Sequence, residues 1–334
     1  MRLIRNSLQS LGAHFSRILR ALFLFAKYFW VDCPKRLETT AEAMGSTYAI
    51  LLYGDDLERL KAATSAAFDE LHRLDHLLSN YRPESDWSQV NQKAATQPVK
   101  VCDELFELLQ FCADHSRRSE GTFDITVGPL LKVWGFYGGA GRLPKDEEVS
   151  TVLAGVGYRN LILDKTARTV RFARDGVEMD PGGIGKGYAV DRMIAVLRRN
   201  GIHSALVSAA GSSIYALGAP PSEPRGWTIK IRDPKCRDLA LTELFLRDMS
   251  LSTSGNYEKF FELEGRTYSH IIDPRNGYPA QRMFEVSVIA DSTIESEAWT
   301  KPFFINGREW TATHRPKDVC VFMCEEHAPC AWVE

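Results

Sequence analysis

A glycine-rich stretch in the middle of the chain combines a carboxylate, an ammonium group and exposed backbone. It runs from Glu178 to Asp191 and reads Glu-Met-Asp-Pro-Gly-Gly-Ile-Gly-Lys-Gly-Tyr-Ala-Val-Asp. Apolar residues at helical spacing follow, and Gly201 ends the run, so the glycines are predicted at a helix N-terminus. Free N–H groups and the helix dipole favour phosphate there, and Lys186 adds a full positive charge. Asp180 at the same place indicates that a divalent cation, or a donor group on a ligand, is also held.

This stretch matches neither of two familiar phosphate-binding motifs. The Rossmann fingerprint needs Gly-x-Gly-x-x-Gly, whereas Gly183, Gly185 and Gly187 alternate. The P-loop needs serine or threonine after its lysine, and here glycine follows Lys186. A purely structural role also stays open, with the glycines packed under a helix and Asp180 as a cap.

Two further residues could take part in chemistry. Asp124 lies in a stretch dense in turn formers and aromatic residues, from Gly121 to Pro129. A buried carboxylate must be paired or bound, or its pKa rises so that it stays neutral. The alternative is that Asp124 caps a local turn. His270 follows a tyrosine and a serine and precedes an Asp-Pro turn, which favours a binding role, although a lone histidine is more often structural.

Composition bounds the function classes. The chain has 334 residues and a formal net charge of −2, with no long basic run, so nucleic-acid binding is not expected. The seven cysteines are odd in number and irregularly spaced. Cys320, Cys324 and Cys330 lie near His327, but the spacing fits no standard zinc site. Free or buried thiols are the prediction.

The N-terminal segment is expected to be separate from the domain. Residues 1–37 are predicted to be a leader and 38–334 the folded domain. An apolar run from Ile18 to Trp30 is interrupted by Lys27, so it is too short and too charged for a membrane span. No cleavage site is evident. An amphipathic anchor that touches a membrane surface through residues 1–31 remains open, as do a capping helix and a disordered leader.

The elements that must position these groups alternate between helices and hairpins. Amphipathic helices are predicted to begin at Asp55 or Asp56, up to Leu78, and to span about 103–118. Short strands with turn residues surround the glycine-rich stretch. A helix over 294–304 contains Pro302, which should kink or shorten it. Helices combined with antiparallel hairpins predict an α+β fold.

Six blocks carry a family resemblance. In chain order they are Met44-Gly45-Ser46-Thr47, Ser79-x-Tyr81-Arg82-Pro83, Gly121 to Pro129, Asp180 to Asp191, Ser254-Gly255-Asn256-Tyr257 and Tyr268 to Pro274. In content and order they resemble the ApbE family, the FAD:protein FMN transferases. The resemblance covers roughly Glu38 to Gly307. It implies a T-fold-like α+β fold with mixed, mostly antiparallel sheets and packed helices.

The resemblance also implies an activity. The expected reaction is Mg²⁺-dependent transfer of FMN from FAD to a threonine or serine hydroxyl of an acceptor flavoprotein, with release of AMP. The Gly183 carbonyl is expected to bind the metal, and His270 to lie near the reacting phosphates. Asp124, Asp180 or His270 could be the base, and the sequence does not choose among them. The residues expected to line the flavin nucleotide are Met44, Tyr81, Thr122, Phe123, Asp124, Asp180, Lys186 and Ile271.

The last block departs from the family pattern. Asp-Ala-x-x-Thr, whose Asp and Thr complete the metal site, is replaced by Glu-Ala-Trp-Thr-Lys at residues 297–301. Lys301 could point away while Glu297 and Thr300 re-form a shifted Mg²⁺ site. Alternatively the Lys301 ammonium could take the place of the cation. A slip of one residue, with Thr300 as the ligand, is the third reading.

These alternatives leave three functions to separate. Transfer to an acceptor protein is favoured, hydrolysis of FAD to FMN and AMP is the neighbouring activity, and a catalytically impaired FAD-binding protein is the third. The family implies a location on the periplasmic side of the inner membrane, although a cytoplasmic location stays open because the leader fits no export signal. The sequence does not identify the acceptor.

Overall fold

An eight-stranded sheet forms the centre of the computed structural model, which describes residues 34–139, 141–236 and 238–334. The strands are β1 Lys35–Ala43, β2 Ser46–Gly54, β3 Val99–Lys100, β4 Leu161–Asp164, β5 Thr169–Phe172, β6 Ser204–Ala209, β7 Ser213–Leu217, β8 Trp227–Arg232, β9 Ala240–Leu246, β10 Met249–Gly255, β11 Phe260–Leu263, β12 Arg266–Ser269, β13 Met283–Ala290, β14 Cys320–Glu325 and β15 Ala331–Trp332. The large sheet has the order β1-β2-β6-β7-β10-β13-β14-β15. From β2 to β15 its neighbours pair antiparallel, which confirms the predicted mostly antiparallel α+β fold.

Helices cover one face of this sheet. The α-helices are α1 Leu57–Leu78, α2 Asp86–Lys93, α3 Asp103–Arg118, α4 Gly128–Val133, α5 Asp146–Leu153, α6 Gly185–Arg199 and α7 Thr293–His314. Asp56 begins α1 by accepting hydrogen bonds from the backbone N–H groups of Glu58 and Arg59. This is the capping that the sequence predicts. The bounds of α3 also match the prediction.

Strand β2 shows how the core is divided. Ile50 and Leu52 are fully buried against the helices. Their neighbours Leu51 and Tyr53 point to the opposite face, where the β8–β9 hairpin covers the sheet. The Tyr53 and Trp227 rings lie 5.9 Å apart there. Because strand side chains alternate between faces, one short segment contributes to two apolar layers.

Helix α7 corrects the expectation for Pro302. The helix continues through Pro302 and is interrupted at Gly307, where φ is 76° and ψ is −175°. A proline inside a helix costs about 3 kcal/mol. Trp299, Phe303 and Phe304 are buried around Pro302, and each contributes about 1.5–3 kcal/mol by burial. Packing therefore holds this part of α7 in helical form.

The cysteines correct a second expectation. Cys324 and Cys330 form a disulfide, because the β14–β15 hairpin brings their Cα atoms to 4.2 Å. The prediction of free thiols was wrong for these two, whereas Cys320 is free. Within the described ranges, no group of three or more metal-binding side chains is found.

The folded body extends from Arg36 to Glu334 as one unit. In the part of the chain that the structure describes, no helix has the length and apolarity needed to cross a membrane. The predicted membrane contact falls on residues 1–31, which lie outside the described residues.

Candidate functional site

The glycine-rich stretch forms the N-terminal turn of α6, as the sequence predicts. Close packing explains one of its glycines directly. A Cβ atom on Gly187 would lie 2.4 Å from the carbonyl oxygen of Thr293, so only glycine lets α6 approach α7 this closely. Asp191 fixes the same contact, because its carboxylate accepts hydrogen bonds of 2.8 Å from the backbone N–H groups of Thr293 and Ile294.

A buried carboxylate and an ammonium group lie at this contact. Glu297 is 2% exposed, and its Oε2 accepts a hydrogen bond from the backbone N–H of Gly187. Its Oε1 has no hydrogen-bond partner among the described residues, but the Lys301 Nζ lies 4.0 Å away. Burial lowers the pKa of Lys301, and the charge of Glu297 opposes that shift.

More positive charge surrounds His270. Lys186 donates a hydrogen bond of 2.6 Å to the Ser212 hydroxyl. His270 Nδ1 lies 3.1 Å from the carbonyl oxygen of Lys259. Burial, together with the charges of Lys301, Lys259 and Lys186, lowers the pKa of His270 to about 4, although the hydrogen bond to the backbone of Lys259 opposes the shift. The imidazole is therefore neutral at physiological pH. The charged centre is defined here as Lys186, Lys259, His270, Glu297 and Lys301.

Asp180 binds two residues that the sequence did not single out as partners. Asn80 donates to its carboxylate over 2.9 Å, and the Tyr137 hydroxyl donates to the same oxygen. The other oxygen accepts from the backbone N–H of Gly182 at 2.7 Å. Burial raises the pKa of Asp180, and these donors oppose the rise. Tyr137 follows the aromatic Trp-Gly-Phe run, but nothing in the sequence links it to a residue 43 positions away.

The polar groups of the loop over 121–128, called the Asp124 loop, form hydrogen bonds with other groups of the protein. Asp124 accepts hydrogen bonds from the backbone and hydroxyl of Thr126, at 2.8 and 2.7 Å, and from the backbone of Tyr158. Burial raises its pKa to about 6. Thr122 donates to the carbonyl of Ser119 at 2.6 Å. These contacts agree with the alternative in which Asp124 caps a turn.

Phe123 differs from its neighbours in the Asp124 loop. Its ring lies 3.6 Å from the position that a Cβ on Gly183 would occupy, so it contacts the glycine-rich turn. Ile271, next to His270, is 4% exposed, and its carbonyl accepts a hydrogen bond of 2.8 Å from Ala280. Phe123 therefore packs against the glycine-rich turn, whereas Ile271 packs in the apolar cluster formed with β13, β14 and α7.

A cavity of about 380 Å³ opens beside the start of α6. Met44 and Tyr81 line it, and Tyr81 is 69% exposed. The Met44 methyl lies 2.9 Å from the Cβ position of Gly185, which connects the cavity to the helix N-terminus. Asp75 holds the far side by accepting from the Met44 backbone at 2.9 Å and from Arg82 at 3.1 Å.

Thr300 and Lys301 point to different neighbours. Thr300 is fully buried and hydrogen-bonds the Ser254 hydroxyl at 2.8 Å and the carbonyl of Glu297 at 2.7 Å. Lys301 instead packs its Cε 3.7 Å from the Cβ position of Gly183. The structure thus brings Lys301, rather than Thr300, to the glycine-rich turn.

This arrangement fits a protein-held Mg²⁺ ion poorly. Magnesium needs oxygen ligands at about 2.1 Å in near-octahedral geometry. Glu297 offers one carboxylate oxygen that lacks a hydrogen-bond partner among the described residues, but the ammonium of Lys301 lies 4.0 Å from it. A divalent ion at that oxygen would be repelled by a fixed positive charge.

Comparison with known proteins identifies the family of this chain. Residues 44–322 match the ApbE family model. This chain belongs to the ApbE family. Among its relatives is a FAD:protein FMN transferase of Klebsiella pneumoniae, 33% identical over 274 residues, with 81% of this chain and 82% of the relative covered. The Escherichia coli K12 FAD:protein FMN transferase is 27% identical and covers 87% of both chains.

Solved structures of the family share the fold. The Pseudomonas stutzeri flavinyl transferase ApbE in its apo form has a TM-score of 0.78 at 31% identity, covering 90% of this chain and 94% of its own. The ApbE protein of Thermotoga maritima has a TM-score of 0.83 at 26% identity, covering 90% and 97%. The predicted family and its α+β fold are therefore confirmed.

Proposed function

We propose that this chain transfers FMN from FAD to a threonine or serine hydroxyl of an acceptor flavoprotein. The acceptor oxygen would form a bond to the phosphorus on the FMN side of the diphosphate. The bond from that phosphorus to the bridging oxygen would break, and AMP would leave with that oxygen. The product is a phosphoester of the acceptor. The chain is an enzyme of the transferase class, as its relatives are.

One observation carries this proposal. The charged centre joins three lysines, of which Lys186 belongs to the first turn of α6, where the positive end of the helix dipole also favours an anion. Breaking a diphosphate requires positive charge near the oxygens that become negative. A cavity next to the same helix terminus offers room for part of a dinucleotide.

The neutral imidazole of His270 is the proton acceptor that the contacts favour. With its Nδ1–H directed at the carbonyl of Lys259, Nε2 is left as the basic nitrogen. A bound diphosphate would offset the nearby lysine charges and raise the pKa of His270 from about 4 towards neutrality. Asp180 stays a second candidate for the base. Asp124 is disfavoured as the base, because its carboxylate already accepts hydrogen bonds from Thr126 and Tyr158.

The family resemblance implies Mg²⁺ as well as FAD. The poor fit of Glu297 and Lys301 to that ion means that no step of this mechanism is assigned to it. FAD itself suits the charged centre, because its diphosphate is an anion. Met44 and Tyr81 at the cavity, with Phe123 beside the turn, would contact the rest of the nucleotide.

Incubation with FAD, with and without an acceptor domain that carries the target hydroxyl, tests the proposal. Acceptor-dependent covalent flavin fluorescence on a denaturing gel, with equimolar AMP, is expected. An acceptor whose target threonine is replaced by valine is the control and should stay unlabelled. Free FMN and AMP without acceptor would instead indicate hydrolysis, and intact bound FAD would indicate a carrier.

We also propose that the enzyme works on the periplasmic side of the inner membrane. The Cys324–Cys330 disulfide supports this, because such bonds persist in oxidising compartments. Mass spectrometry after thiol alkylation of protein taken directly from cells should find these two cysteines unmodified. Full alkylation of both would argue for the cytoplasm.

A further inference from the structure

Helix α7 presents an acid and a base one turn apart at the glycine-rich stretch. Glu297 and Lys301 form an i,i+4 pair, and both side chains meet the start of α6. We propose that the Lys301 ammonium is the permanent cation of this site and binds the diphosphate of FAD directly, so that FAD binding requires no divalent ion. The inference rests on the proposed function.

The placement of Lys301 distinguishes it from an ordinary surface lysine. Its side chain is only 21% exposed, and its Cε packs against Gly183 at 3.7 Å from the Cβ position. Its Nζ lies 3.4 Å from the carbonyl oxygen of Glu297. A lysine normally keeps its ammonium in water. Here the stem and the charge are both held at the turn where an anion is expected.

The carboxylate beside it needs a cation. Glu297 is nearly fully buried, and its Oε1 has no hydrogen-bond partner within the described ranges. An unpaired buried carboxylate is strongly unfavourable. Lys301, at 4.0 Å, supplies the opposite charge from the same helix. Neutralising Glu297 therefore does not call for a metal ion.

Neighbouring charges keep this lysine suited to the role. Burial lowers the pKa of Lys301 and Lys186 lowers it further, whereas Glu297 and Glu258 raise it. A bound diphosphate would add two more negative charges close by and favour the ammonium form. With Lys186 and Lys259 also near His270, the site has three positive side chains for a dianionic group.

FAD binding to the metal-free protein tests this inference independently of catalysis. Protein fluorescence is titrated with FAD in excess EDTA and again in excess Mg²⁺. We expect the wild-type Kd to differ by less than about twofold between the two conditions, because Lys301 already supplies the charge. Manganese titrated into the wild-type chain, followed by its paramagnetic resonance signal, should remain unbound without FAD.

Substitutions at position 301 separate charge from ligand chemistry. Lys301→Thr should weaken FAD binding in EDTA about tenfold or more, and Mg²⁺ should restore it, because an oxygen then joins Glu297. Lys301→Met should be weakened equally in both conditions. Lys317→Thr, at an exposed position before β14, is the matched control and should resemble the wild type.

A wild-type affinity that falls tenfold in EDTA, or stoichiometric manganese binding by the unliganded wild type, would overturn the inference. Should Lys301→Thr fail to fold, as judged by circular dichroism, these wild-type measurements still decide. Failure of the proposed function has a different signature. FAD binding that is unaffected by EDTA but never followed by transfer would refute the transferase while leaving the cation assignment intact. Absence of FAD binding in both conditions would remove both.

Discussion

The Asp124 loop and the charged centre each contain a buried carboxylate, but the two carboxylates differ in their hydrogen bonding. Asp124 and Glu297 are 7% and 2% exposed. Both oxygens of Asp124 accept hydrogen bonds from Thr126 and Tyr158. Glu297 has one oxygen bonded to Gly187, whereas the other has no hydrogen-bond partner in the described part of the chain and lies 4.0 Å from the Lys301 ammonium. The first carboxylate serves the fold, whereas the second pairs with the ammonium group that we propose binds the diphosphate.

The comparison therefore predicts two kinds of mutational effect. Removing a lysine of the charged centre that does not pair with Glu297, such as Lys186, should reduce FAD affinity while leaving the free energy of unfolding nearly unchanged. Changes in the Asp124 loop should do the reverse.

Lys186→Met should weaken FAD binding by about a hundredfold, because it removes a held charge from the end of α6 where we propose that the diphosphate binds. Isothermal titration calorimetry would measure the change in Kd. Lys317→Met controls for loss of a surface charge. A change below threefold would contradict the assignment of Lys186 to the diphosphate.

Asp124→Ala should destabilise the protein by about 1–3 kcal/mol, because the backbone donors of Thr126 and Tyr158 lose their acceptor. Urea unfolding at mildly acidic pH would measure this. FAD affinity of the folded variant should stay within about twofold of wild type. A large loss of FAD affinity without a loss of unfolding free energy would instead indicate that Asp124 contacts the ligand.

The pH dependence of the free energy of unfolding also tests the structural role of Asp124. Burial raises the pKa of Asp124 from 3.8 to about 6, so between these values the native state binds more protons than the unfolded state. The free energy of unfolding that Asp124 contributes should therefore fall as the pH rises through this window, by an amount on the order of 2 kcal/mol. The difference in the free energy of unfolding between the wild type and Asp124→Ala should therefore become smaller from about pH 4 to about pH 7. A difference that grows with pH would contradict the raised pKa of Asp124.

Thr300→Val should have the smallest effect. It removes the hydrogen bonds to Ser254 and to the carbonyl of Glu297, at a cost of about 1 kcal/mol in unfolding free energy. FAD affinity and its response to Mg²⁺ should match the wild type. A change in the response of FAD affinity to Mg²⁺ in this variant would show that Thr300, rather than Lys301, determines whether Mg²⁺ is needed.

Local sequence patterns predicted the supporting elements well. Capping by Asp56, the periodicity of α3 and the glycine turn before α6 each depend on neighbours within a few positions. The resemblance to a family supplied the candidate residues, but it could not say whether Asp124 faces a ligand or its own loop. That outcome depends on Tyr158, which is 34 positions away.

Long-range contacts explain the remaining errors. Asn80 and Tyr137 meet Asp180 only because separate loops converge there. Helix α7 continues past Pro302 because its aromatic neighbours find partners in the core. The disulfide of Cys324 depends on the pairing of β14 with β15. Such pairings between distant segments leave no periodic signal in the chain.

The order of strands in the large sheet has a consequence for behaviour at high concentration. Among the described strands its two edges are β1 and β15, and edge strands can offer backbone groups to another copy. Strand β1 exposes Arg36, Glu38 and Glu42, whose charges disfavour stacking of identical strands. Strand β15 has two residues, too few to template an extended ladder. Both edge strands therefore disfavour the intermolecular strand pairing that leads to fibres.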